Sequence, residues 1–552
     1  MLFAGGVGFN SQCVHVFFSE FSVFVVRSSR AVEGGGEGSA EAEVPHMEMQ
    51  IGAMLSADCS LSSTTMTQKL PPLPTEVWLQ IASYIPEREM PSLYPLSRAF
   101  YELGMDAIYQ ELRIRAFTKG MVSRIQNASK KPFISRRVLA LDIHLDAFDA
   151  LVASRAQSSL GLFASLFYRP QGPHDVTRMS APEVSSILLN SVKYMTSLRR
   201  CRLRIPSSHH IYTYLPFIRA LWEGVRGRVD DLALEVPGNV LNVALPVSVD
   251  SLLQVHALSL VLCDKLDGWG SSYASQLIAN FFNQAAPGLE SLSLVSSPAT
   301  PVHHLRLIFT RLYQFHNLRK VHLDIQFDDI TGYNIAQFLN VHGQHVHTLS
   351  LTARISPNSD TTPLATLRLP ALSKLSLNFD LETTQFNRFW ASGFLTFTSL
   401  THLRIDAPAL AHDRFSLICD AFGRRITSHQ VHDVHFNLQV LNGLAFDRLA
   451  MSFAALRTLS ITANSLSEPN QSDSWDIASF AQDMKDRTYQ AWSLHDITLS
   501  HPAQDRPEDP TIASYEAMRV AARSIPSVRS FCGWGNTVEP CEIRLERNAG
   551  NL

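Results

Sequence analysis

Along most of this chain apolar residues recur in one short motif: an apolar residue, two spacers, a second apolar residue, one spacer and a third. It reads Val138/Leu141/Ile143, Leu198/Cys201/Leu203, Val229/Leu232/Leu234, Val255/Leu258/Leu260, Leu289/Leu292/Leu294, Leu318/Val321/Leu323 and Val346/Leu349/Leu351. It continues as Leu372/Leu375/Leu377, Leu400/Leu403/Ile405, Val431/Val434/Phe436, Leu456/Leu459/Ile461, Leu494/Ile497/Leu499 and, weakly, Val528/Phe531. About thirteen copies run from about Arg136 to the end, most of them roughly 25 to 38 residues apart. The last two positions of each copy alternate as the buried side of a strand does. Helical spacing fills the gaps, as in Tyr214–Val225, Tyr273–Phe282, Leu305–Phe315 and Phe415–Phe422. Short strands alternating with such helices pair in parallel through crossovers. One unit buries a handful of aliphatic side chains, each contributing ~1.5–3 kcal/mol, while ordering its backbone costs ~1–2 kcal/mol per residue. No unit folds alone, so neighbours must share a core. The pattern predicts an α/β fold, an irregular β/α solenoid over 116–552. The interval before Leu198 is about twice the others, so a unit there is either hidden or replaced by an insertion at 146–190. From about residue 530, the turn residues Trp534-Gly535-Asn536-Thr537 and the charged run Glu539–Arg547 suit a C-terminal cap over an exposed edge.

A different pattern occupies 70–115. Pro74 suits the first position of a helix, where its missing N–H would be unpaired anyway, and Glu76 follows in the first turn. Val77, Ile81 and Ile85, with Trp78 and Ala82 beside them, form one apolar stripe that Pro86 terminates. Leu93, Leu96, Phe100 and Leu103 form a second stripe, interrupted by Pro95; Ile108, Tyr109 and Leu112 supply a third short element. So small a helical bundle needs a partner or the following domain to support it.

Residues 1–69 read as a disordered leader and linker. From Ser28 to Lys69 the chain is rich in Gly, Ser, Thr, Ala and Glu and cannot bury enough apolar surface to offset its ordering entropy. The apolar run Val14–Val26 is too short to span a bilayer and contains Glu20; no Lys or Arg precedes it, as a signal peptide would require. It reads as a poorly ordered leader, or as upstream sequence wrongly joined to the true start.

Composition narrows the function. The chain has 552 residues, 45% of them hydrophobic, with 47 basic and 50 acidic side chains for a formal net charge of -3. That balance gives no drive towards nucleic acid or an anionic membrane. Seven scattered cysteines with no C-x-x-C pair read as reduced thiols of an intracellular protein, cytoplasmic or nuclear. Cys532 and Cys541 could pair, but closeness in sequence is poor evidence for that. No P-loop lysine signature, G-x-S-x-G, H-E-x-x-H or dinucleotide-binding glycine pattern is present. His342, His345 and His347, and likewise His429, His432 and His435, lie close in sequence, but His435 alternates with the core positions Val434 and Phe436, so both groups read as solvated histidines rather than a metal site. The expectation is no metal, no cofactor and no catalytic residue.

The segment Leu73–Leu112 resembles the F-box. It supplies Leu73-Pro74-Thr75-Glu76, Tyr84-Ile85, Met90, Leu93, the run Leu96-Ser97-Arg98-Ala99-Phe100, and Leu103. Phe100 stands where Trp is common, and Pro91 and Pro95 fall where the family often has helical residues. The resemblance implies docking of a Skp-type adaptor, and through it a cullin–RING ubiquitin ligase, by Leu73, Pro74, Ile81, Ile85, Leu93, Leu96 and Phe100. Some of these would face the adaptor and others hold the bundle together. The solenoid is similar to leucine-rich repeats. Cys263 and Asn464 hold the place where that family usually has a turn-bonding Asn or Cys, while Ser297, Gln326, Arg354 and Asp380 depart from it, so uneven turns are expected. An F-box followed by such repeats and this ending is similar to the large fungal F-box families.

Together these readings give a substrate receptor of an SCF-type ligase with an unknown protein target, and no nucleic-acid or membrane partner. The alternatives are a scaffold outside any ligase, or an enzyme whose site crosses several repeats. Target recognition falls to the spacer positions of the strands, which alternate outwards: Arg202, Arg204, His322, Asp324, Arg404, Asp406 and His435 first, with Glu235, Asn437, Ser293, Ser350, Ser376 and Ser460 beside them.

Overall fold

The computed structural model describes residues 74–85, 89–94, 98–151, 179–205, 211–245, 252–263, 271–298, 300, 302–355, 364, 366–380, 397–423, 430–467, 475–502 and 511–533. The leader, Leu73, Leu96, Cys13, Cys59, Cys541, His429, most of the 146–190 segment and the cap beyond residue 533 lie outside them.

The N-terminal helices are α1 (Thr75–Ser83), α2 (Met90–Leu93) and α3 (Arg98–Tyr109). Strands then alternate with helices: β1 (Glu111–Ile114), α4 (Lys119–Lys130), α5 (Pro132–Ser135), β2 (Ala140–His144), α6 (Ala181–Tyr194), β3 (Arg200–Arg204), α7 (Ile211–Val225), β4 (Asp231–Val236) and α8 (Leu241–Ala244). Next come β5 (Ala257–Leu262), α9 (Ser271–Ala285), β6 (Ser291–Ser296), α10 (Val302–Phe309), β7 (Lys320–Phe327), α11 (Asp329–Val341), β8 (Thr348–Ile355) and β9 (Lys374–Asp380). The series closes with β10 (His402–Leu410), α12 (His412–Gly423), β11 (Asp433–Leu441), α13 (Gly443–Ser452), β12 (Thr458–Leu466), α14 (Ile477–Met484), β13 (Asp496–Ser500), α15 (Ile512–Ser524) and β14 (Ser530–Phe531).

Among the described residues, all 14 strands form one parallel sheet in strict sequence order. The predicted triplets become continuous rows across it. Leu112, Leu141, Cys201, Leu232, Leu258, Leu292 and Val321 pair in register, and the row runs on through Leu349, Leu375, Leu403, Val434, Leu459, Ile497 and Phe531. Each residue of that row is buried, and with the flanking helices the rows form one core from Tyr109 to Phe531. Such a ladder specifies its register strongly, because a slip of one residue would turn every aliphatic side chain to water. The helices start where side chains satisfy their first N–H groups: Thr118, Asp328, Asn442, Asp476 and Thr511 each cap one, and Ser180 with Glu183 forms a capping box on α6.

Several expectations change. The sheet has a strand before the first predicted triplet: Leu112 leaves the helical bundle for β1, while Phe100, Leu103, Ile108 and Tyr109 share the single helix α3. Pro74 is the residue before the first helical position, with φ -54° and ψ 149°, and its carbonyl accepts from the N–H groups of Val77 and Trp78. The second helix shrinks to four residues, its start carrying Pro91. β2 bonds directly to β3, so no strand of this sheet stands between the units of Val138 and Leu198. Helix α10 stops at Phe309; Phe315 is buried from a non-helical stretch beyond it. Asn464 is exposed within the nine-residue β12, outside any turn, because that strand outruns the repeat pattern. Finally, His342 is not solvated: it is 1% exposed at the end of α11, packed against Phe338 and Phe315.

Candidate interaction site

Two surfaces hold the residues singled out in the sequence. On the bundle, Phe100 is buried and meets the edge of Trp78 at 5.2 Å, so it belongs to the interior. Ile81, Ile85 and Leu93 are half-buried, and Pro74 is exposed. Val77 is 36% exposed and Tyr84 75%, one helical turn to either side of Ile81, which leaves an apolar stripe of α1 uncovered. Tyr84 is absent from the residues carried over from the F-box; its place next to Ile85 on the far side of the stripe was the available signal. Arg137, in the turn before β2, donates to Asp106 Oδ1 at 2.5 Å and also binds Glu102, so two carboxylates of α3 are tied to the start of the solenoid.

The second surface is the outer side of the sheet. The seven spacer residues do not converge. Arg202 and Arg204 lie exposed on β3, where Arg204 pairs with Glu235 at 3.2 Å. His322 and Asp324 lie four strands further on, about 19 Å at ~4.8 Å per strand. Asp324 pairs there with Arg354 at 2.8 Å, and Arg354 also donates to the carbonyl of Ser296. Between these places the sheet presents small side chains such as Ala233, Ser259 and Ser293.

Arg404, Asp406 and His435 do meet. Arg404 Nε donates to Asp406 Oδ2 at 2.5 Å, and His435 Nε2 lies 3.3 Å from Asp406 Oδ1. Burial raises the Asp406 carboxyl, but the hydrogen bonds from His435 and Arg404 outweigh it and hold the group below the usual carboxylate range. An ionised Asp406 only accepts, so the His435 Nε2–H donates to it. Its Nδ1 lies 2.9 Å from the Ser460 hydroxyl oxygen. Ser460, His435 and Asp406 line up in the order of a nucleophilic relay, but β12 is paired on both sides, so the backbone N–H groups around Ser460 are committed to the ladder. Burial, aided by Asp142, pushes the Cys201 thiol up to about 12, and burial raises the Cys419 thiol further.

Beside this cluster the sheet opens into a recess of about 350 Å³ lined by Asn378, Asp406, Pro408, Ala409, Asn437, Thr462, Asn464 and Pro502. Its cause is Pro408. A proline cannot donate to the ladder, and between Ile405 and Leu410 β10 advances five residues while β11 advances two. Asn378, Asn464 and the two prolines were not among the predicted contacts. The proline within the strand-like run Arg404–Leu410 was the sequence signal of a bulge. The histidines do not gather: His432 Nδ1 meets the carbonyl of Ala455, His435 faces outwards, and among the described residues no group of three or more His, Cys, Asp or Glu could hold a metal.

No protein-family model matches the chain, and no curated protein matches it. Solved structures do. The crystal structure of the Rad7 and Elc1 complex in yeast aligns with 12% identity over 73% of this chain and 96% of that one, at a TM-score of 0.34. The TLR13–ssRNA13 complex aligns with 11% identity over 73% of this chain and 62% of that one, at a TM-score of 0.24. At such scores neither overlay bears on function. The chain's own ladder defines its class: a parallel β/α solenoid resembling leucine-rich repeats, preceded by short helices.

Proposed function

We propose that this protein is the substrate-receptor subunit of an SCF-type cullin–RING ubiquitin ligase. The helices α1–α3 dock a Skp-type adaptor, and the outer face of the sheet holds a protein target. The observation that carries this reading is the apolar stripe of α1, where Val77 and Tyr84 stand out from a bundle whose interior already takes Phe100. Exposed apolar side chains in a row are what a partner helix covers. The stripe lies within the segment that resembles the F-box. The role is one of binding, so it needs neither catalytic residue nor cofactor, and residence is intracellular. Among the described residues no helix is long and apolar enough to cross a membrane.

The test is retention of the full chain on an immobilised Skp-type adaptor. Val77→Asp places a charge on the exposed stripe without entering the core, and is expected to weaken retention at least about tenfold, as loss of a central interface contact does. Leu73→Ala with Pro74→Ala should weaken it too. A wild-type chain that is not retained, or variants retained as well as wild type, leaves a scaffold outside any ligase as the reading.

A further inference from the structure

We infer that the recess over β9–β12 is a binding site for an uncharged, extended peptide segment of a protein target, held through its backbone amides. The inference deepens the receptor reading and rests on it for the nature of the ligand. Asn378, Asp406, Asn437 and Thr462 follow one another on four consecutive strands, in or next to the paired register. At ~4.8 Å per strand they span about 14 Å, the length of about four residues of extended chain. Asn464 extends the same polar floor along β12, and Pro408 and Pro502 add apolar walls without N–H donors.

Charge excludes the other ligands. Among the described lining residues Asp406 is the only ionisable group, and Arg404 and His435 already bond its two oxygens. An anion would meet that carboxylate, and the adjacent Arg404 guanidinium is already bonded to it, with no further cation among the described lining residues. An added cation would meet the Arg404 guanidinium beside it. A purely apolar ligand would strip water from the Asn378 and Asn464 carboxamides without replacing its hydrogen bonds. A peptide backbone presents a donor and an acceptor side by side, the same pair that an Asn side chain offers, so the two match bidentately. Binding of this kind selects by hydrogen bonding rather than by net charge, and it is therefore insensitive to salt.

The experiment screens the full chain against an array of random, unmodified decapeptides and measures the selected peptides in solution. Uncharged peptides are expected to dominate. Their affinity should change less than about twofold between about 50 and 500 mM NaCl. It should fall at least about tenfold in the double variant Asn378→Ala with Asn437→Ala, fall similarly when the peptide backbone is N-methylated, and be unaffected by Arg202→Ala. Selection of acidic peptides with steep salt dependence, indifference to both the asparagine variants and N-methylation, or no selected peptide overturns the inference. Adaptor retention measured on the same preparation separates the two readings. Peptide binding as described with no adaptor retention removes the ligase and leaves the recess; adaptor retention without peptide binding does the reverse.

Discussion

His342 shows how a single side chain gains its character from its surroundings. Its ring lies between Phe338 and Phe315, with centroids 4.7 and 5.6 Å away. Burial penalises the imidazolium and lowers its pKa to about 4, a shift that the hydrogen bond with the Phe315 backbone only partly offsets. In the unfolded chain the same group titrates near ~6.5. Between those values the unfolded state binds more protons, so stability rises with pH across this window and falls on acidification through it. The slope is at most ~1.4 kcal/mol per pH unit, about 3 kcal/mol in all. Denaturation midpoints measured at pH 7 and pH 5 should show this loss in the wild type and a smaller one in His342→Gln. At the same scale, Phe100 and Val77 lie in one short bundle with opposite fates, one interior and one exposed, a division that the apolar spacing of the segment leaves open.

At the scale of the element, the strand is the unit in which the two faces separate. Leu351 is fully buried in β8, whereas Ser350 beside it is on the outer side. Leu351→Ala removes a row residue between Leu323 and Leu377 and should cost ~2–5 kcal/mol. Ser350→Ala should stay within about 0.5 kcal/mol; urea titration of both variants checks the contrast. Helix α3 depends on an element outside itself. Arg137 bonds Glu102 and Asp106, one turn apart on α3, and its own side chain is 21% exposed. That lies between an exposed pair, worth ~0–1 kcal/mol, and a buried one, so Arg137→Ala should cost about 1–2 kcal/mol. The effect should be local. Amide exchange along α3 is expected to quicken while exchange in β7 and β8 stays unchanged.

For the whole molecule, the decisive feature is that one core runs through every repeat while the outer polar face changes from strand to strand. Charged pairs gather at β3–β4, small residues cover β5–β6, and the amide-lined recess opens at β9–β12. The bundle surface and the recess lie on different elements and share no lining residue. Val77→Asp should therefore weaken adaptor retention at least about tenfold and leave peptide affinity unchanged, and Asn378→Ala with Asn437→Ala should do the opposite. Measuring both readouts on both variants checks that independence; loss of both by either variant would show the two surfaces to be coupled.

The order of the strands, their parallel pairing and the identity of nearly every row residue could be read from the chain itself. A period of two is local, and a unit too small to stand alone has nowhere to put its aliphatic side but against its neighbours. Four features waited for the tertiary structure: Leu112 as a strand residue, the burial of His342, the direct pairing of β2 with β3, and the recess beside Pro408. Each depends on what a segment meets from another part of the chain. Leu112 extends because Leu141 offers it a ladder, His342 loses water to two phenylalanines, and Asn378 and Asn437 come to line one recess two strand spacings apart. Local spacing shows which residues must be buried or exposed; only the packed sheet decides which exposed ones become neighbours.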